Sequence, residues 1–259
     1  MNIVRSLHIQ LLFIAYFGVV GVAHAQPASP EGAAKNEAAD WIVDGQLTPK
    51  GKAEIDLILE NRLVNLDDQA LVNLVNRHPE AAVAQYLIKA ADDANRDSVT
   101  RQRAMAWLAY TRDDRAEDFL RSYVEKLTPQ EGKVLSFAEY NLLHAAIISQ
   151  GAIGSDSAID YLLQIASKDF WDSRVITCSG LHGDAEDLAV HMRKAALWGI
   201  VRSETDRAIA LFPKHSNPMP DLLSDEEAAS LARTARLRAQ KIYGNPDANR
   251  EPSQKKVKK

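Results

Sequence analysis

The chain of 259 residues contains a single cysteine, Cys178. One thiol excludes an intrachain disulfide, so a folded domain of this length must be held by its hydrophobic core. Basic residues are not in excess either, because 31 Lys and Arg face 35 Asp and Glu, for a formal net charge of −4. Binding nucleic acid requires a concentrated basic surface that neutralises phosphates. We therefore do not expect nucleic acid as a partner.

The chain also lacks the short motifs of the commoner enzyme classes. It has no Gly-rich phosphate loop, no serine in a nucleophile elbow, no His-Glu-x-x-His sequence and no paired cysteines. Each of these motifs places reactive or ligand-holding groups at a fixed spacing, so their absence argues against those chemistries. We predict no catalytic residue, no metal site and no cofactor.

The first 25 residues have the pattern of a secretory signal peptide. Arg5 precedes an apolar run from Leu11 to Val22, and Ala23-His24-Ala25 forms a small-x-small cleavage motif. A membrane-anchoring helix is the alternative, but crossing a bilayer takes about 20 apolar residues and this run is shorter. We therefore predict cleavage between Ala25 and Gln26, a periplasmic or secreted protein, and no membrane span after cleavage.

Composition divides the remaining chain into three parts. Residues 26–47 begin with a Pro- and Ala-rich stretch and are predicted to be a flexible lead-in. Residues 48–244 are predicted to be a single all-helical domain, with Gly244 as the cap of the last helix. Residues 245–259 are polar, end in a lysine cluster, and are predicted to be a disordered basic tail.

Apolar spacing and capping signals predict helices throughout the domain. Stripes at i, i+3, i+4 and i+7 occur in several segments, for example from Phe119 to Leu127. Helix starts are predicted at Thr48-Pro49, at Asp67, at Thr128-Pro129-Gln130-Glu131 and at Ser224-Asp225-Glu226-Glu227. No run combines convincing alternation of apolar and polar residues with enrichment in β-branched residues, so we expect no β-sheet.

One phrase occurs three times in the domain: a helix rich in small residues, a short polar link, an acidic residue, and then Ala followed by two bulky apolar residues. Its copies centre on Asp114, Asp156 and Asp206, which lie 42 and then 50 residues apart. The aspartates are expected to cap the second helix of each pair. Three bulky side chains are expected to fill the gaps between pairs, namely Trp107, Ile147 and Trp198.

This phrase, over about residues 80–212, resembles the two-helix repeats of HEAT and armadillo proteins. The resemblance implies an α-solenoid of antiparallel helix pairs, with extended surfaces that bind other proteins. An irregular helical bundle with Ala-rich helices and Asp caps is the alternative.

Residues 169–183 interrupt the repeat and form a predicted inserted loop, where binding functions are often found. Its candidate binding residues are Trp171, Arg174, Cys178 and His182. A Cys178/His182 nucleophile and base, oriented by Asp184 or Asp187, would make the loop catalytic. A zinc site from Cys178, His182 and His191 has irregular spacing. The third alternative is a structural insertion with Cys178 buried as a small hydrophobe.

The sequence thus favours an exported scaffold or adaptor that mediates protein–protein interaction with an unidentified protein partner. An enzyme or small-ligand binder centred on the 169–183 loop is one alternative, and an immunity or inhibitor protein is another. Cations on the last helix are compatible with an acidic partner, but they also suit the negative end of a helix dipole. They are Arg233, Arg236, Arg238 and Lys241.

Overall fold

The computed structural model describes residues 41–79, 81–179 and 185–243, and 69% of these residues lie in eleven helices. The predicted all-α class is therefore confirmed at this level. In chain order the helices are α1 (Pro49–Glu60), α2 (Asp68–Arg77), α3 (Ala81–Asp92), α4 (Ser98–Tyr110), α5 (Asp114–Leu127), α6 (Phe137–Ile153), α7 (Asp156–Ala166), α8 (Lys168–Asp172), α9 (Ala185–Arg202), α10 (Asp206–Leu211) and α11 (Asp225–Tyr243). Within the described ranges, no helix has both the length and the apolar character that a membrane crossing needs.

Three of the four predicted helix starts are present. Thr48 caps α1 by accepting a hydrogen bond from the Gly51 amide at 3.0 Å, and Asp67 caps α2. Before α11, the Glu227 amide donates to the Ser224 hydroxyl at 3.2 Å, and the Ser224 amide donates back to the Glu227 carboxylate at 2.8 Å. This reciprocal pair is the predicted capping box.

The predicted start at Thr128 is wrong, because Thr128 ends α5 instead. Its amide and its hydroxyl both donate to the Val124 carbonyl, at 3.0 and 2.9 Å. Pro129, which follows, cannot continue a helix. The chain then turns at Gly132, which has a φ of 83°, and enters a short strand.

Two small sheets correct the expectation of a chain without strands. The antiparallel strands β1 (Ile42–Val43) and β2 (Gln46–Leu47) form a hairpin, within the segment 26–47 assigned above to a flexible lead-in. The parallel strands β3 (Lys133–Leu135) and β4 (Ile176–Cys178) form the second sheet, and β4 belongs to the predicted 169–183 loop. Strands of two or three residues are too short to show an alternating pattern, which explains the error.

The three copies of the repeated phrase are consecutive neighbours in the fold. Helix α4 packs against α6, and α6 packs against α9, so the first helices of the three pairs lie side by side. The second helix of a pair packs mainly on the next pair, α5 on α6 and α7 on α9. Helix α3 precedes this row against α4, and α11 follows it against α9 and α10.

The turns inside the three pairs share one backbone geometry. Each contains a residue in the left-handed region, with a φ of 53° at Arg112, 74° at Gly154 and 58° at Glu204. The next residue in each turn is the helix cap, in order Asp113, Ser155 and Thr205. The prediction that the repeated aspartates cap these helices is therefore wrong. Each aspartate is instead the first helical residue, where its charge suits the positive end of the helix dipole.

Small residues allow α6 and α9 to approach closely. A Cβ atom added to Gly151 would lie 1.7 Å from the Gly199 carbonyl oxygen, whereas one added to Gly199 would meet no atom closer than 3.1 Å. Trp107 and Ile147 are fully buried between helices, as predicted. The prediction for Trp198 is wrong, because its side chain is 41% exposed.

The contact between α6 and α9 predicts unequal effects of two glycine substitutions. Gly151→Ala should lower the free energy of unfolding by about 3 kcal/mol, because the new methyl group overlaps backbone that cannot move alone. Gly199→Ala should cost about 1 kcal/mol or less, because the nearest atoms, the Ile147 carbonyl oxygen and a Leu162 methyl carbon at 3.1 Å, need to move only slightly and Ala favours the helix. Urea denaturation measures both. Equal stability of the two variants would contradict this helix contact.

Candidate functional site

The Asp68 cluster joins parts of the chain that are distant in sequence. Asp68, the first residue of α2, accepts hydrogen bonds from Arg202 at the end of α9 and from Arg238 on α11. The Tyr110 hydroxyl at the end of α4 donates to the same carboxylate at 2.5 Å. Arg238 also lies 3.2 Å from Glu204, measured between Nη2 and Oε1. These five residues form the cluster, and they connect α2 to the end of the helical row.

The side chains of the Asp68 cluster are largely buried, which strengthens the electrostatic interactions between them. The Arg202 side chain is 13% exposed and that of Glu204 only 4%. Burial alone would raise the pKa of Asp68, but Arg202 and Arg238 outweigh it and lower this pKa to about 2. Burial also raises the pKa of Tyr110, so its hydroxyl keeps the proton that it donates. Asp68 is therefore ionised, paired and hydrogen-bonded at neutral pH.

Glu204 is the exception in the cluster. Burial and the nearby Asp68 raise its pKa, Arg238 and Arg202 offset only part of this effect, and the resulting pKa is about 7. Its backbone lies in the left-handed region, which non-glycine residues rarely adopt. A carboxyl group with a pKa near neutrality in a partly strained turn is a feature often found at functional positions.

Glu204 also lines a groove along the three turns. The groove has a volume of about 380 Å³ and is formed by the turns after α4, α6 and α9, together with Ala239 of α11. Its carboxylates already have partners in several cases. Asp113 binds Arg115 at 2.7 Å, and Glu117 binds both Arg121 and the Ser155 hydroxyl. The acidic residues therefore hold the turns together and do not by themselves mark a cation site.

A second polar group lies between α6 and α9. The Tyr140 hydroxyl contacts Nδ1 of His191, and the His144 ring centre is 5.3 Å from that of His191. Burial lowers the pKa of His144 to about 3, with His191 and Arg202 adding to the effect. Burial likewise lowers the pKa of His191. Both imidazoles are therefore neutral at pH 7, and across residues 41–79, 81–179 and 185–243 no three His, Cys, Asp or Glu side chains are grouped to hold a metal.

Two of the predicted binding residues, Trp171 and Arg174, make contacts within their own segment. Trp171 is buried, and its indole N–H donates to the Ile165 carbonyl at 2.8 Å. The Arg174 guanidinium lies 4.2 Å from the centre of the Phe170 ring and donates to the Phe170 carbonyl at 3.2 Å. These contacts fasten the segment between α7 and β4, and a binding role for either residue stays a prediction.

Cys178 lies at the end of β4, opposite Leu135 of β3. Its thiol is buried and faces the Ser179 carbonyl at 3.7 Å. Burial raises its pKa, with a smaller contribution from Glu139, so the thiolate needed for nucleophilic attack is disfavoured. Of the other residues in the predicted catalytic and zinc sites, Asp187 and His191 lie on α9, whereas His182 and Asp184 lie outside the described residues. Ala25 and Gln26 of the predicted cleavage site lie outside them as well.

Trp198 is a surface feature that the sequence interpretation placed in the core. It lies one helical turn after Lys194, whose amine pairs with Glu227 of α11 at 2.7 Å, and one turn before Arg202. The face of α9 that carries Trp198 is thus tied to α11 at one end and to α2 at the other. A large indole exposed between these contacts is a candidate anchor for a partner.

Sequence reasoning missed the Asp68 cluster because its members are far apart in the chain. The pairs that Asp68 makes with Arg202 and Arg238 span 134 and 170 residues. The one available signal was the row of cations on the last helix, two of which have internal partners. Arg238 binds Asp68, and Arg236 donates to the Phe212 carbonyl at 3.3 Å.

Neutralising Asp68 should destabilise the fold. Asp68→Asn leaves Arg202 and Arg238 without their shared counter-charge in a largely buried site, so the free energy of unfolding should fall by about 3 kcal/mol. Asp67→Asn is the matched control, because Asn caps a helix as well as Asp does. It should change stability by less than about 0.5 kcal/mol in the same urea titration. Similar values for the two variants would contradict the cluster.

Comparison with known proteins adds no relative to this description. Neither protein-family models, nor curated proteins, nor solved structures gave a match to the chain.

Proposed function

We propose that this chain is an exported helical-repeat scaffold of the HEAT-like solenoid type, and that it binds a protein partner. The observation that carries the proposal is the side-by-side packing of α4, α6 and α9, the first helices of the three similar pairs. Stacked helix pairs produce extended surfaces on which a second polypeptide can lie. The apolar leader ending at Ala25 supports export to the periplasm.

The turns support the repeat interpretation independently of the helices. All three place a left-handed residue directly before the helix cap, although they consist of different residues. Equivalent turns give each pair a similar relation between its two helices.

The chemistry of the described residues favours binding over catalysis. The Cys178 thiol is buried with a raised pKa, and the imidazoles of His144 and His191 have lowered pKa values. Trp198 instead offers exposed aromatic area on the third repeat. Aromatic residues of this kind contribute much of the binding free energy in protein interfaces.

Photocrosslinking in the cell tests the proposal. The protein, expressed with its own leader in its native cell, would carry a photoreactive amino acid at position 198. A discrete adduct with one protein in the exported fraction is expected there. The control places the same amino acid at Leu63, which is 95% exposed and lies in the loop between α1 and α2.

The result at the two positions decides the proposal. An adduct at position 198 that exceeds the one at position 63, and that becomes weaker when unlabelled protein competes, supports a scaffold with a defined partner surface. Equal labelling at both positions, or none at position 198, contradicts it. Trp198→Ala should lower the affinity for the captured protein about tenfold or more, since truncating an interface anchor costs 1–2 kcal/mol.

A further inference from the structure

We propose that protonation of Glu204 controls how firmly α2 is held against the rest of the fold. Through the arginines of the Asp68 cluster, this carboxyl group would act as a proton-operated latch on one helix. The inference goes beyond partner binding and does not depend on it. It is carried by the way α2 is attached and by the sharing of Arg238 between two carboxylates.

Helix α2 has few apolar contacts of its own. Leu71 is its one fully buried residue, while α4, on which α2 packs, buries six. Its two ends are held by polar or aromatic contacts. At the start of α2, its first residue, Asp68, binds the two arginines. At its end, the ring of the following residue, His78, stacks on Trp41 with 3.7 Å between the ring centres. Segments with little buried apolar area open most readily, so the Asp68 contacts largely determine how often α2 detaches.

Arg238 is shared between Asp68 and Glu204. The same guanidinium nitrogen, Nη2, is hydrogen-bonded to Asp68 Oδ2 and lies 3.2 Å from Glu204 Oε1. The Glu204 side chain is only 4% exposed, and the partner that its Oε1 has among the described residues is this shared Arg238. When Glu204 is ionised, two carboxylates therefore compete for one arginine in a site from which water is largely excluded. When Glu204 is protonated, Asp68 is the one remaining carboxylate of the cluster that pairs with Arg238.

Charged and titratable side chains from several helices and turns surround Glu204. Within the cluster they are Arg238 on α11, Asp68 on α2, Arg202 on α9 and Tyr110 on α4. On the groove side they are Arg112, Asp113, Asp114, Glu117 and Asp206. The pKa of Asp68 is about 2 and that of Tyr110 is raised above its ordinary value of 10, so neither changes charge between pH 5 and 8. Within the cluster, the proton taken up in this range belongs to Glu204.

The direction of the effect follows from the two pKa values of Glu204. Its pKa in the closed fold is about 7, above the ordinary value of 4.5. Detaching α2 removes Asp68 from beside Glu204 and so lowers the pKa of Glu204. The closed state therefore binds more protons than the opened state near pH 7, and its stability decreases as the pH rises through this region. The contribution of Asp68 has the opposite sign and is lost only as the pH falls from 3.8 towards about 2. Over pH 5.5–8.0, α2 is thus held most firmly at the acid end.

Amide hydrogen exchange of the full-length protein tests the latch. Exchange of residues 68–77 would be measured at pH 5.5 and at pH 8.0, and each rate divided by the intrinsic rate of that amide at the same pH. The opening equilibrium constant of α2 should rise about tenfold between the two conditions in the unmodified protein. In Glu204→Gln, which has the same shape but cannot ionise, it should stay constant.

Helix α7 provides the internal control, because it packs on α9 and contributes no residue to the Asp68 cluster. A rise for α2 that is absent from α7, and that Glu204→Gln abolishes, supports the proposal. A flat profile for α2 overturns it, as does a parallel rise in α7 or a rise that persists in Glu204→Gln. Should Glu204→Gln fail to fold, Glu204→Ala replaces it, because it removes the carboxyl group altogether and the same constant profile of α2 is expected.

Discussion

The salt bridge that Asp68 makes with Arg202 and Arg238 holds the beginning of the helical domain to its end. Removing a carboxylate from water is costly, and this site compensates with two guanidinium groups and the Tyr110 hydroxyl. Because the partners sit on α4, α9 and α11, one side chain fixes α2 relative to three other helices. The same contact places Glu204 beside a competing carboxylate.

The row of helices α4, α6 and α9 uses the same local features at each turn. A left-handed residue reverses the chain after α4, α6 and α9, and a polar cap directly after it satisfies the first free amides of the next helix. The close approach of Gly151 to Gly199 then sets the distance between the second and third pairs. These features explain how pairs of different length can still stack in order. They also leave the indole of Trp198 on the surface, where the proposed scaffold would meet a partner.

The features that the sequence predicted well are those encoded by neighbouring residues. The last helix begins at Asp225 as expected, because the capping box at Ser224 specifies its start locally. The prediction of a helix start at Thr128 was wrong, because a Thr-Pro pair is also compatible with the end of a helix. The strand β3 that follows shows that the pair ends α5. The aspartate caps were misplaced by one residue for a similar reason, because Asp113 and Asp114 are both suitable caps in isolation.

The candidate site was harder to predict, since it depends on tertiary contacts. Trp171 and Cys178 drew attention as unusual residues in a long insertion, yet the fold directs both inward. Glu204 and Asp68 carry no local signal, because the burial and most of the charged neighbours that shift their pKa values come from tertiary contacts. Burial of Trp198 was inferred from its position in the repeat, but whether a helix face is covered depends on how α2 and α11 close over it.

A double-mutant cycle between Asp68 and Arg238 tests the central claim most directly. The free energies of unfolding of Asp68→Asn, Arg238→Gln and the double variant would be compared with that of the unmodified protein at neutral pH. If the two side chains pair in a buried cluster, the effects should be strongly non-additive, with a coupling free energy of at least about 1 kcal/mol. Additivity within about 0.5 kcal/mol would mean that the two ends of the domain are not joined by this contact.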